Sequence, residues 1–157
     1  GAVMHMVYHS LIKPSLFFTT GNVLIKYNSA RIAKVCGTMA IIPITSILLL
    51  IGLFAVTGFP PFGMFLKEAS IITAGLQTRP AVAIIALMAI ALVFVGFFRR
   101  VNSMVMTAKP TDESIKPGES SPWLIVPPLL LLAIALVASF YMPHFLQAII
   151  NEVALRY

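Results

Sequence analysis

Thr57-Gly58-Phe59-Pro60-Pro61-Phe62-Gly63 interrupts an apolar stretch that runs over residues 42–78. Two successive prolines remove two backbone donors and free the carbonyls of the preceding turn. At about 37 residues the stretch is too long for one straight helix across a hydrocarbon core of about 30 Å, and barely long enough for two. Irregular backbone at membrane depth persists only where protein buries it or where it lines a wet cavity. Gly58, Pro60, Pro61 and Gly63 therefore read as a break inside one membrane-crossing helix, an arrangement typical of transporter ion sites.

The surroundings of the break are equally apolar. Hydrophobic residues make up 59% of the chain and charged residues 10%, far from the roughly 25% charged content of a soluble domain. Further apolar segments lie at about 2–25, 80–98 and 123–142, so the expectation is an all-α, polytopic transmembrane helix bundle. It would have four membrane segments, one of them proline-broken, in a single transmembrane domain over residues 1–157. The start Gly1-Ala2-Val3-Met4-His5 lacks an initiator Met, a charged leader region and a cleavage motif. It reads as the C-terminal part of a longer subunit, not as a signal peptide.

Charge sets the orientation. If residues 42–78 cross once, Lys26, Arg31, Lys34, Arg99, Arg100, Lys109 and Lys116 share one side, and only Arg79 and Arg156 lie opposite. A double crossing would divide them almost evenly. The positive-inside rule favours the single broken crossing, with loops 26–41 and 99–122 cytoplasmic and the C-terminus outside. The same rule explains the net charge of +6. The basic residues form no stripe and no aromatic-interleaved patch, so nucleic acid is not an expected partner. A lone Cys36 allows no internal disulfide and no CxxC or Cys/His ligand set, so no metal or cofactor site is expected in this chain. Neither a phosphate loop, a nucleophile elbow nor a catalytic carboxylate pair is visible, and no catalytic residue is assigned.

Ionisable residues inside the spans carry the functional reading. His5, His9 and Lys13 are spaced i, i+4, i+8, which holds them within about 80° of one helix face. Ionisable groups at that depth are costly and by default mark an ion or proton path. Histidine suits the task because it gains and loses a proton near neutral pH. Lys13 sits near the middle of its span, and Pro14 leaves the carbonyl of Ser10 without a helical donor beside it. The plainer alternative is an interfacial position for these side chains, strongest for His5 at the chain start. After the break come Lys67 and Glu68. The positive end of the helix dipole favours an anionic Glu68 and disfavours a charged Lys67, which casts Lys67 as the proton acceptor and Glu68 as a fixed counter-charge. The plainer alternative is a proline kink with a Lys–Glu pair at a helix end. His144 reads as interfacial, Trp123 and Tyr141 as aromatic-belt residues of the last span, and the stretch opening Lys109-Pro110-Thr111-Asp112-Glu113 as a solvated loop.

His5-x3-His9-x3-Lys13-x2-Leu16-Phe17-x3-Gly21-Asn22, then Pro43-Ile44-Thr45, then Gly58-Phe59-Pro60-Pro61-Phe62-Gly63-x3-Lys67-Glu68 together resemble the antiporter-like (Mrp-type) membrane subunits of the respiratory complex I superfamily. Gly21-Asn22 and Pro60-Pro61-Phe62-Gly63 are closer to subunits of formate hydrogenlyase and membrane-bound [NiFe] hydrogenases than to the main complex I forms. The resemblance covers residues 3–72, and beyond residue 80 it rests on span count. It implies about fourteen spans in two inverted repeats, of which these would be the last, in a prokaryotic plasma membrane. It also implies proton translocation along buried His, Lys and Glu residues, driven by an electron-transfer module elsewhere in the complex. Partners would be other membrane subunits, that module and the lipid bilayer. Iron–sulfur, NiFe or flavin cofactors would reside only in partner subunits, which makes this chain a non-catalytic transport subunit of an oxidoreductase complex. In the family, His5, His9 and Lys13 match the polar helix and Lys67 matches the broken-helix lysine. Hydrogenase-type relatives place an acid one position later, here Glu68, so which of the two titrates stays open. The rival expectations are a subunit of a stand-alone Na+/H+ antiporter and a purely structural membrane anchor; Lys13 and Lys67 argue against the anchor.

Overall fold

The computed structural model describes residues 2–107 and 115–141, so His144, the Lys109–Glu113 stretch and the tail lie outside the described residues. Helix α1 (Ala2–Tyr27) is followed by a 3-10 turn (Ile32–Lys34), a short α2 (Thr38–Ile41) and α3 (Pro43–Val56). After the break come α4 (Gly63–Thr78) and α5 (Pro80–Met106), then a 3-10 turn (Pro122–Leu124) and α6 (Val126–Phe140). No strand occurs among the described residues, and the chain is an all-helical bundle.

Proline marks the helix starts. Pro43, Pro80 and Pro122 each occupy a first-turn position, where the missing N–H is not needed and the fixed φ suits a helix. Helix α3, with 14 residues, rises about 21 Å, and α4, with 16, about 24 Å, so neither crosses 30 Å of hydrocarbon alone. They do not pack along each other as a hairpin would. Helix α3 begins beside the Tyr27 end of α1, where Ile41 and Ile42 cluster with Val23 and Tyr27, and ends near Tyr8, where Ala55 and Phe62 join Tyr8 and Met4. Helix α4 continues in the same direction past His5. Helix α5 returns beside both, with Gly75 close to Ala83 and Val101 and Val105 packed on Leu49 and Leu53. The α3–α4 pair is thus one broken rod, antiparallel to α1 and α5.

Among the described residues two segments are long and apolar enough to cross a membrane by themselves, Pro80–Met106 and Pro122–Phe140. At 26 residues α1 has the length, but its polar residues dilute it, and α3 is apolar but short. Helix α5 extends beyond the expected boundary at residue 98. Arg99 and Arg100 lie inside it, because Val101 and Val105 still have an apolar groove on α3 to fill. The basic residues Lys26, Arg31, Lys34, Arg99 and Arg100 gather at one end of the bundle, and Arg79 occupies the turn at the other.

Helix α1 presents three faces. Met4, Tyr8 and Ile12 enter the core with Leu48, Met64 and Leu132. A hydroxyl and amide row latches α6: Tyr8 Oη donates to the carbonyl of Ala138 at 2.7 Å, Ser15 Oγ to that of Pro128 at 3.0 Å, and Asn22 Nδ2 to that of Leu124 at 2.8 Å. The third bond has a local cause. Residue 128 is proline, so the carbonyl four residues earlier has no helical donor, and Asn22 supplies one. The third face carries His5, His9 and Lys13.

The strap over residues 115–124 closes the basic end. Glu119 accepts from the Thr45 N–H at 3.0 Å and from Thr45 Oγ1 at 2.7 Å, which places a carboxylate at the start of α3. Gly118 donates to the carbonyl of Ile41 at 2.7 Å and accepts from Lys26 Nζ at 2.6 Å.

Candidate functional site: an ionisable line beside a broken helix

The break is held open by what its small residues allow. Phe59 N–H reaches back to the carbonyl of Phe54, five residues earlier, at 2.9 Å, and the Pro60–Pro61 bond is cis. Gly58 adopts φ 68°, a left-handed conformation that side chains disfavour. A β-carbon there would also collide with Oε2 of Glu68 and stand 2.8 Å from its Cδ. At Gly63 a β-carbon would come within 2.6 Å of the Tyr8 Cζ and hydroxyl. The Gly63 N–H donates to Ser139 Oγ at 2.7 Å, and Ser139 Oγ in turn donates to the Ala135 carbonyl at 2.8 Å. Gly58 thus makes room for a carboxylate, and Gly63 for the tyrosine that ties α1 to α6.

Helix side chains lean toward the N-terminus, so Glu68 bends back toward the break. Its Oε1 lies 4.0 Å from His5 Nδ1. That nitrogen is buried and has no hydrogen-bond partner among the described residues. At 4.0 Å the two groups are beyond hydrogen-bond length but form an ion pair whenever His5 is protonated. The His5 and His9 rings stack with centroids 5.6 Å apart and planes 26° from parallel. His5, His9 and Lys13 line one laterally open cavity of about 600 Å³ together with Ser10 and Pro14. Glu68, His5 and His9 thus form a line, and Lys13 lines the same cavity on the His9 side.

Lys67 is not on this line. It is half-buried and has no hydrogen bond or ion pair among the described residues. Adjacent helical residues diverge by about 100°, so once Glu68 faces His5, Lys67 cannot. The dipole argument that reserved Glu68 as a fixed anion also weakens. With α4 starting at Gly63, Glu68 falls in the second turn, and the terminal field fades within the first. Lys13 is exposed within the described residues, on the open side of the cavity. No group of three or more His, Cys, Asp or Glu residues able to hold a metal occurs among the described residues. Sequence reasoning missed Tyr8 and Ser139. A hydroxyl inside an apolar span needs a buried partner, which was the available signal for Tyr8; Ser139 carried no signal before its neighbours were known.

A bundle of apolar helices with a proline-broken rod and ionisable side chains beside the break defines a helical membrane protein. The chain belongs to the NADH:quinone oxidoreductase/Mrp antiporter transmembrane family, whose model matches residues 1–94. It is 30% identical to a Na(+)/H(+) antiporter subunit of Alkalihalophilus pseudofirmus over 99% of this chain and 21% of that protein. It is 29% identical to NADH-quinone oxidoreductase subunit L of Campylobacter jejuni over 93% of this chain and 24% of that protein. The hydrogenase-4 component F homolog of Methylacidiphilum infernorum is 26% identical over 76% of this chain and 24% of its own length. The chain thus spans about a fifth to a quarter of these curated relatives, and the match extends to antiporter, quinone-linked and hydrogenase types alike.

Proposed function

We propose that this chain is part of a proton- or cation-translocating subunit of a redox-driven membrane complex of the complex I or membrane-bound hydrogenase type, and that protons pass between Glu68 and Lys13 by way of His5 and His9. The carrying observation is the placement of the Glu68 carboxylate against the unpartnered His5 Nδ1, with the His9 ring stacked beyond it. Histidine is the side chain suited to exchanging protons near neutral pH, and the Glu68 carboxylate lies at ion-pair distance from His5. The Ser10 carbonyl freed by Pro14 gives the cavity a polar wall. On this reading Glu68 is a carrier, and Lys67 serves outside this line.

In this proposal α1, the α3–α4 rod, α5 and α6 are four crossings in a prokaryotic plasma membrane. The basic end is cytoplasmic and the C-terminus lies outside, as the positive-inside rule favours. Partner subunits hold any iron–sulfur, NiFe or flavin centre, and other membrane subunits and lipid surround the bundle. A second reading, part of a stand-alone Na+/H+ antiporter, is favoured by the 30% identity, along nearly the whole chain, to the antiporter relative. It uses the same residues without a redox partner, and co-purification of an electron-transfer module separates the two.

The test is proton uptake into vesicles containing the full-length complex. Glu68→Gln is expected to assemble and to stop uptake, whereas Lys67→Met retains it. Loss of a buried partner can cost about 3–5 kcal/mol, so assembly is measured in both variants. A pumping Glu68→Gln with a dead but assembled Lys67→Met would overturn the assignment.

A further inference from the structure

Helices α1 and α5 run in the same direction yet hardly touch, and a slot separates them. Its wider part, about 550 Å³, lies against Phe17, Gly21 and Leu24 of α1, the loop at Ser29, and Phe97 and Arg100 of α5. A narrower continuation of about 280 Å³ shares Phe17 and Phe97 and ends at Lys13. The walls are hydrocarbon except at the two ends. Thr20 contributes no free donor, because its hydroxyl is bonded to the carbonyls of Leu16 and Phe17. Arg100 stands at the wide end, where the 3-10 turn that carries Lys34 packs on α5.

From Lys13 to Leu24 the slot follows eleven helical steps, about 16 Å. That is close to half of the roughly 30 Å hydrocarbon core, the depth of one leaflet. An extended protein segment would bring backbone amides that these walls cannot satisfy. A hydrocarbon chain brings none, and the cationic end complements a phosphate, as basic pockets between transmembrane helices do for anionic headgroups.

We propose that this slot binds an anionic phospholipid, with its phosphate at Arg100 and one acyl chain laid between Phe17, Gly21 and Phe97 toward Lys13. The bound chain closes the gap through which bulk lipid would otherwise reach Lys13 from the α5 side. Lipid binding here needs only the slot and its charged rim, and does not depend on the proton path.

Photolabelling tests it. The full-length protein in its native complex is placed in phosphatidylcholine nanodiscs doped with phosphatidylglycerol that carries a diazirine in its acyl chain. The expected label falls on the peptides of Gly21 and Phe97, and unlabelled phosphatidylglycerol competes it away where phosphatidylcholine does not. Arg100→Gln should lower the labelling about fivefold, the effect of one cation near an anionic headgroup. Gly21→Phe should abolish it without disturbing assembly, because a side chain at Gly21 meets nothing within 4 Å and grows into the slot. An unlabelled slot in the unsubstituted protein would mean that protein fills it. That result, equal competition by phosphatidylcholine, or labelling unchanged in both variants would overturn the proposal.

Discussion

Gly58 lies against the carboxylate of Glu68, close enough that any β-carbon at residue 58 would overlap it. The break in the α3–α4 rod and the carboxylate facing His5 are therefore one structural unit. The left-handed turn at Gly58 ends the first half-helix, and the space it leaves receives the side chain from the second. A proline kink with an incidental Lys–Glu pair at a helix end would not need this contact.

Gly58→Ala should be costly for two separable reasons. The backbone at φ 68° disfavours a side chain by about 1–2 kcal/mol, and the clash with Glu68 adds to that. In a double-mutant cycle with Glu68→Ala, measured by thermal unfolding of the complex, the steric part should vanish and the backbone part remain. Additive effects would mean that the two residues do not touch.

Asn22→Leu should destabilise by about 1–3 kcal/mol, since it leaves the Leu124 carbonyl without a donor. Pro128→Ala restores the helical N–H for that carbonyl. The double variant Asn22→Leu/Pro128→Ala should recover most of the lost stability, which a comparison of unfolding midpoints checks. No recovery would mean that Asn22 acts through something other than the carbonyl freed by Pro128.

Glu119→Gln should loosen the start of α3. The carboxylate accepts two bonds from Thr45 and sits at the positive end of the helix, where a negative charge contributes about 0.3–1 kcal/mol. Hydrogen exchange at the Thr45 amide should accelerate by a few-fold while amides near Tyr8 are unchanged. Equal protection in both proteins would show that the strap does not hold this end.

Lys13→Ala should abolish proton movement in vesicles and leave assembly intact, because Lys13 lies on the open side of its cavity and anchors no packing. Unchanged pumping would remove it from the path.

Sidedness can be read by cysteine labelling. A cysteine at Lys34 should react only from the cytoplasm and one at Arg79 only from outside, since the α3–α4 rod lies between them. Reaction of both from one side would turn the rod into a hairpin.

The membrane class, the site of the break and the shared face of His5, His9 and Lys13 were all legible in the sequence. Each depends on local quantities: the apolar content of a run, the missing donors of Pro60 and Pro61, and the 3.6-residue period that aligns every fourth side chain. Which of Lys67 and Glu68 faces His5 was not legible, because it turns on a difference in direction of about 100° that only the packing of α4 against α1 sets. The continuation of α5 through Arg99 and Arg100 was hidden for a similar reason, as charges that suggest a helix end were outweighed by Val101 and Val105 finding a groove on α3. Tyr8 on Ala138 and Asn22 on Leu124 join residues more than a hundred positions apart. Chain-local patterns determine which helices form and how polar each face is; which faces meet depends on how the helices cross, and only the tertiary structure decides that.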